Sequence, residues 1–312
     1  YADTAGYEGD PDLPHAWRYR DYVIDSFNRD KAYDLFIKEQ LAGDEFAEVL
    51  GAGELPLPDP ERVVAMTFLR LAPFTEPRGD ETRHEMLSEI TSTVGSVFLG
   101  LSVGCAKCHD HKHDPIPIED FYRMKAFFAT VSIPAPKRGD GFQIGGSLPA
   151  AFYRNGEKEW VETTLTNLKK EAATVKQQLA QLSESLGKLI QPPPSKQQSL
   201  ESLINDPATT GITDSDRHTF RMLSIRKRAI PTDIKRLQPL AMSLRHAFGP
   251  PYEPGVPTSR VMLRGEYNNP GDVVQPGFLS CLTGHQKPAA IRLDPFKRWP
   301  TRSRRMALAR WI

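Results

Sequence analysis

Cysteine is scarce in this chain: three residues in 312, Cys105, Cys108 and Cys281. That count excludes a disulfide-built scaffold. Apolar runs are short, and none approaches the ~20 residues of a membrane-spanning helix. Net charge is also small, +1 from 40 basic and 39 acidic residues. The charge balance therefore calls for neither nucleic acid nor an anionic membrane as partner. Proline is plentiful by contrast, 27 residues, and it gathers in connecting segments. That pattern predicts helices joined by stiff, extended loops. With 39% apolar and 25% charged residues the chain can build an ordinary core, and its length suits about two domains. It opens at Tyr1 without a methionine and stops inside the amphipathic run RRMALARWI. Both features predict a piece of a longer protein, so the lack of a signal peptide carries no information on location.

Residues 17–42 place Trp17, Ile24, Phe27, Phe36, Ile37, Gln40 and Leu41 at spacings that suit two short amphipathic helices. A further helix is expected from about Pro60 to Leu71, with Val64, Thr67, Phe68 and Leu71 on one face. Met86, Leu87, Ile90, Val94, Val97, Phe98 and Leu101 then recur at helical spacing and run directly into Cys105. After the cysteines, DPIPIEDFYRMKAFF reads as a proline-rigid turn and a new helix with Glu119 and Asp120 in its first turn, where the helix dipole favours acids. Residues 132–157 are loop-like. Leu165, Leu168, Ala172, Val175, Leu179, Leu182, Leu186 and Leu189 follow at alternating spacings of three and four, a heptad seam. Phe220, Leu223, Lys227, Ile230, Ile234, Leu237, Ala241 and Leu244 repeat the alternation, with Pro231 and Pro239 expected to kink or interrupt it. Two seams of equal span joined by a loop predict an antiparallel coiled-coil hairpin. RVMLRGEY, NNPG and DVVQPGF read as strand, turn and returning strand. Cys281, in QPGFLSCL, is expected to be a small buried hydrophobe.

The chemistry concentrates in GCAKCHDHKHDPI, residues 104–116. C-x-x-C-H is the covalent haem-attachment signature. Two thiols three positions apart can reach two vinyl groups on one edge of a porphyrin, and the following imidazole can bind the iron. Three other readings stand beside it. A redox dithiol needs only Cys105 and Cys108, but no thioredoxin-like βαβ pattern surrounds them. A zinc site would combine the cysteines with His111 or His113, yet structural zinc usually takes a second ligand pair from elsewhere, and none is offered. The last reading is coincidence, since short motifs recur by chance.

The stretches WRYRDYVIDSFNRDKAYDLFIKEQLAGD and FLGLSVGCAKCHDHKHDPIPIEDFYRMKAFF resemble the second-type planctomycete cytochrome-c-like domain, a family of unknown function. LRGEYNNPGDVVQPGFL and RRMALARWI resemble the start of the planctomycete-specific domain that usually follows it. The resemblance covers about residues 1–132 and 259–312 and implies a variable insert between them. It implies Cys105 and Cys108 as haem-attaching residues, His109 as iron ligand, and an extracytoplasmic location. It supplies no substrate.

One axial position of such an iron remains. His111 and His113 sit on a short tether beside His109 and cannot cross to the opposite ring face. They are expected to hydrogen-bond within a solvated loop, or, as the functional alternative, to form a second polar or metal cluster with Asp110 and Asp114. His84 and Met86 would lie about 30 Å from Cys105 if their helix were unbroken, unless Gly95 or Gly100 interrupts it. Met124, on the apolar face shared with Phe121 and Phe128, is the distal-ligand candidate, with Met66 next; core packing is the competing role for Met124.

The sequence therefore predicts a mainly α protein: a helical haem-c-like domain over 1–132, a Pro/Gly-rich linker over 133–160, a coiled-coil hairpin insert over 161–246, and over 247–312 the start of a mixed α/β C-terminal segment. The expected function is electron transfer by an exported c-type-haem protein, periplasmic or secreted, whose partner is a redox protein or another haem domain of the same chain. Two rivals remain: an extracytoplasmic haem or metal enzyme acting on a substrate such as carbohydrate, and a zinc-stapled interaction module that docks proteins through its hairpin.

Overall fold

A computed structural model describes residues 4–6, 12–13, 15–46, 59–73, 79–134, 148–149, 156–190, 200–206, 208–238, 240–246, 256–291 and 303–312. The chain is mainly helical. It divides into two units, residues 1–151 with 240–312, and residues 152–239.

The first unit opens with α1 (Ala16–Asn28) and α2 (Tyr33–Ala42). The two helices are where the spacing predicts, but α1 turns a different face inward. Ile24 and Phe27 are exposed at 49% and 74%, while Tyr19 and Tyr22 are buried. The tyrosines win the core because their hydroxyls find acceptors there, Tyr19 on Gln40 at 2.5 Å and Tyr22 on Glu39 at 2.9 Å. The next helix, α3 (Pro60–Ala65), starts on Asp59, whose carboxylate accepts from the Glu61 N–H, with proline at the first helical position. A 3₁₀ turn extends it through Arg70.

α4 (Asp80–Val94) buries Met86, Leu87, Ile90 and Val94. A π-helical turn follows over Gly95–Leu99 and rotates the face, so that Val97 is 56% exposed while Phe98 packs against Phe68 at 5.0 Å. Gly100, at φ 66°, ends the helix. The chain then doubles back, and Lys107 pairs with Glu85, twenty-two residues earlier. α5 (Ile118–Lys125) crosses this layer and sends Phe121 and Met124 into the core, with Phe127 and Phe128 beyond its end. Each such side chain contributes about 1.5–3 kcal/mol.

Four short strands form two antiparallel pairs: β1 (Val131–Ser132), β2 (Leu148–Pro149), β3 (Leu240–Ala241) and β4 (Arg245–His246), with β1 on β4 and β2 on β3.

The second unit is a helical hairpin. It contains α6 (Glu157–Leu189), α7 (Leu200–Asn205) and α8 (Asp214–Arg236). α8 begins in a capping box between Thr213 and Asp216. Leu186, Ile190, Ile204 and Phe220 form its core, with Leu179 and Leu182 beside them, and the Arg226 guanidinium grips both oxygens of Glu171 across the pair. The arms are unequal, 33 residues against 23. Pro231 lies inside α8 near its C-terminus, and the second seam's Ala241 and Leu244 fall outside the helix: Ala241 belongs to β3 of the first unit.

The chain returns to the first unit with β5 (Ser259–Met262) and β6 (Pro270–Val274), the expected antiparallel hairpin with an irregular register between Arg260 and Met262. Two helices close the list, α9 (Ser280–Thr283) and α10 (Arg304–Trp311). Residues 256–291 are bound tightly to α5. Asp120 accepts from the Ser280 N–H and hydroxyl, at 2.6 and 2.5 Å, and Arg123 donates to the carbonyls of Gln286 and Lys287. α10 is anchored by Arg305, fully buried, which forks onto Asp44 at 2.6 and 2.8 Å. Residues 240–312 thus group with residues 1–151 in the first unit.

Candidate cofactor-attachment site

The CAKCH residues begin on a 3₁₀ turn, Val103–Lys107, directly after the reversal at Gly100; Cys108 caps its end and His109 follows it. Its inner side is apolar, with Val103 and Ala106 fully buried. Gly104 packs closely on α4, since a Cβ there would lie 2.7 Å from the Ser92 hydroxyl. The outer side carries Cys105 and Cys108, both free thiols and both exposed. From behind, the Tyr122 hydroxyl donates to the Lys107 carbonyl at 2.8 Å, with the Met262 carbonyl at 3.2 Å as a weaker second acceptor. Burial, then the neighbouring Cys108, raises the Tyr122 phenol well above its ordinary range, so it stays a donor. The β5–β6 loop rests against the motif: Gly265, at φ 74°, leaves no room for a Cβ, which would sit 2.6 Å from Cys108 Sγ.

His109 is exposed, and its Nδ1 lies 2.7 Å from the Asp110 carbonyl oxygen. A carbonyl only accepts, so Nδ1 carries the proton and Nε2 keeps its lone pair. His111 is used differently. Its Nδ1 accepts from the backbone N–H of His113 and Asp114, at 3.2 and 2.8 Å, and its Nε2–H therefore donates to Ser102 Oγ at 3.0 Å. Asp110 accepts from the Ile118 N–H and so caps α5. His113 is exposed and Asp114 half-buried. Among the described residues no three His, Cys, Asp or Glu side chains converge as a metal-binding group.

Met124 is fully buried among Phe121, Phe127 and Phe128, and Met66 is 1% exposed. Cys281 is half-buried, its thiol pushed up by burial and by Asp120.

One cluster has no precursor in the motif reading. His84 on α4 meets Lys125 on α5, Nδ1 to Nζ 2.5 Å, with the Tyr122 and Tyr267 rings on either side. Burial, then the charges of Lys125 and Lys107, lowers the imidazole from 6.5 to about 3. Burial, then Lys107, holds Lys125 well below the ordinary ammonium range. Only the apolar periodicity of α4 and α5 places these residues inward; their pairing has no local sequence signal.

No helix in the described residues is long and apolar enough to cross a membrane. No curated protein and no solved structure gives a significant match. Residues 1–133, which contain the whole motif and its supporting helices, match the model of the family described as PSCyt2, protein of unknown function (DUF1549).

Proposed function

We propose that Cys105, Cys108 and His109 attach a c-type haem, and that the protein transfers electrons outside the cytoplasm to a redox protein or to another haem domain of the same chain. The observation that carries this reading is the contact between His109 Nδ1 and the Asp110 carbonyl. The Asp110 carbonyl holds the proton on Nδ1 and leaves Nε2, on an exposed ring, as a metal donor next to two exposed free thiols. Fixing a ligand imidazole through its other nitrogen is the usual way a protein orients a metal-binding histidine. The donor set thus fits the group: two nucleophilic sulfurs for thioethers and one imidazole for iron.

Bound haem supplies one-electron chemistry at its iron. The protein's part is to present the three side chains on a fixed backbone. The Tyr122 hydrogen bond, the buried Val103 and Ala106, and the close fit at Gly104 and Gly265 all hold that turn in place. Structural zinc is less well served, because it needs four converging ligands, and His111 already spends both ring nitrogens on the loop. The complete burial of Met124 supports a packing role for that residue. The planctomycete cytochrome-c-like resemblance supports the same reading and, because c-type haem is attached outside the cytoplasmic membrane, an exported location.

The test is expression of the full chain with haem-maturation machinery. The purified protein should carry a haem absorption spectrum that survives denaturation. A colourless product holding stoichiometric zinc would overturn the proposal.

A further inference from the structure

Forty-one residues separate His84 from Lys125, yet the fold brings Lys125 Nζ to 2.5 Å from His84 Nδ1. Both are buried, at 6% and 8% exposure. Beside the ammonium form of Lys125, which only donates, Nδ1 accepts and the ring proton sits on Nε2. That Nε2 is buried and has no hydrogen-bond partner among the described residues. Native structures rarely leave such a donor unmatched, and an unmatched one calls for an absent acceptor.

His84 and Lys125 line a cavity of about 280 Å³ together with Asp80, Arg83, Arg260 and Tyr267. Three of its charged side chains are cations, Arg83, Lys125 and Arg260, and one, Asp80, is an anion. Glu85, next in sequence to His84, faces Lys107 instead. Among the described residues Lys125 has no carboxylate within ion-pair distance; its polar contact is His84. Arg83 spends Nη2 on the carbonyls of Ala129 and Val131, which fixes its charge at the cavity wall. The volume far exceeds the ~30 Å³ share of one water and lies just below the ~300 Å³ at which pockets for drug-sized ligands begin. Leu87 and Met262 add an apolar wall.

We infer that this cavity binds a small organic anion, a carboxylate or phosphate of a few carbons, whose oxygen accepts from His84 Nε2 and whose charge is balanced by Lys125, Arg83 and Arg260. An acceptor satisfies the orphan imidazole N–H, and a negative charge offsets the cation excess. Neither motif cysteine nor His109 lines the cavity, and the inference stands whether or not haem is attached there.

Calorimetric titration of the purified full chain with inorganic phosphate, and separately with acetate, tests it, with chloride at matched ionic strength as control. Saturable binding of at least one oxyanion and not of chloride is expected. Phosphate alone identifies a phosphate ligand, acetate alone a carboxylate, and both a site that reads the shared oxyanion. Lys125→Met or Arg260→Gln should weaken binding about tenfold or more, the equivalent of 1.4 kcal/mol. Arg260 is exposed at the cavity rim, so its variant decides the matter if Lys125→Met fails to fold. No saturable binding of either oxyanion, or an affinity unchanged in every folded variant, overturns the inference.

Discussion

Replacing His84 with glutamine should remove a measurable part of this protein's sensitivity to acid. The imidazole titrates at about 3 in the folded chain and near 6.5 when unfolded, because burial and the adjacent Lys125 charge oppose its protonation. Between those values the unfolded chain binds more protons than the folded one. The stability associated with a neutral His84 is thus complete above pH 6.5 and is lost as pH falls toward 3. Taken at full strength, linkage over pH 7 to 4 gives about 3 kcal/mol. His84 borders a cavity that admits water, and screening there reduces the expected figure to about 1.5 kcal/mol. Glutamine keeps an acceptor for Lys125 and does not titrate. Other carboxylates and histidines also shape acid unfolding, so the informative quantity is the difference between wild type and His84→Gln. Urea unfolding at pH 7 and pH 4 should show that difference shifting by about 1.5 kcal/mol in favour of the variant at the lower pH. An equal difference at both pH values would refute the claim that this imidazole is buried neutral beside a lysine.

Three further outcomes follow from the packing around the motif. Gly265→Ala places a side chain at φ 74° and 2.6 Å from Cys108 Sγ; it should cost about 1–2 kcal/mol and slow alkylation of Cys108 relative to Cys105, read by mass spectrometry. Asp120→Ala strips the acceptor from the Ser280 N–H and hydroxyl, for a loss of about 2–3 kcal/mol and faster amide exchange over residues 280–284. Pro149 and Leu240 are paired neighbours in β2 and β3, so a short flexible linker replacing residues 150–239 should leave the near-ultraviolet circular dichroism of the first unit unchanged, and collapse of that signal would show that the hairpin is needed for the fold.

What the sequence discloses here is mostly periodic. The helix leading to the motif can be read from Met86, Leu87, Ile90 and Val94, and the β5–β6 hairpin from the turn at NNPG. Periodicity misleads where something non-local intervenes. The apolar spacing of Ile24 and Phe27 in α1 yields to tyrosines whose hydroxyls are satisfied by α2. The run through Val97 is rotated outward by a π turn that hydrophobicity alone does not encode. The heptad alternation continues past Arg236, but the chain there leaves the hairpin to pair with Leu148 and Pro149. At the motif, the residue types and spacing are legible, whereas the division of labour among the histidines is not. His109 and His111 are two positions apart, and only the loop geometry shows that one is left with a free Nε2 and the other is spent on backbone N–H groups. The His84–Lys125 cavity is hidden for the same reason, since its walls come from α4, α5 and β5, and no local pattern joins them.

The central claim is that one cofactor bridges Cys105 and Cys108. Trypsin cleaves after Lys107, which lies between them. Protein matured with haem and then denatured and digested should yield the peptides ending at Lys107 and beginning at Cys108 still joined, or uncut, with the added mass of one haem and no alkylatable thiol on either. Two separate peptides, each carrying a free and alkylatable cysteine, would contradict the account.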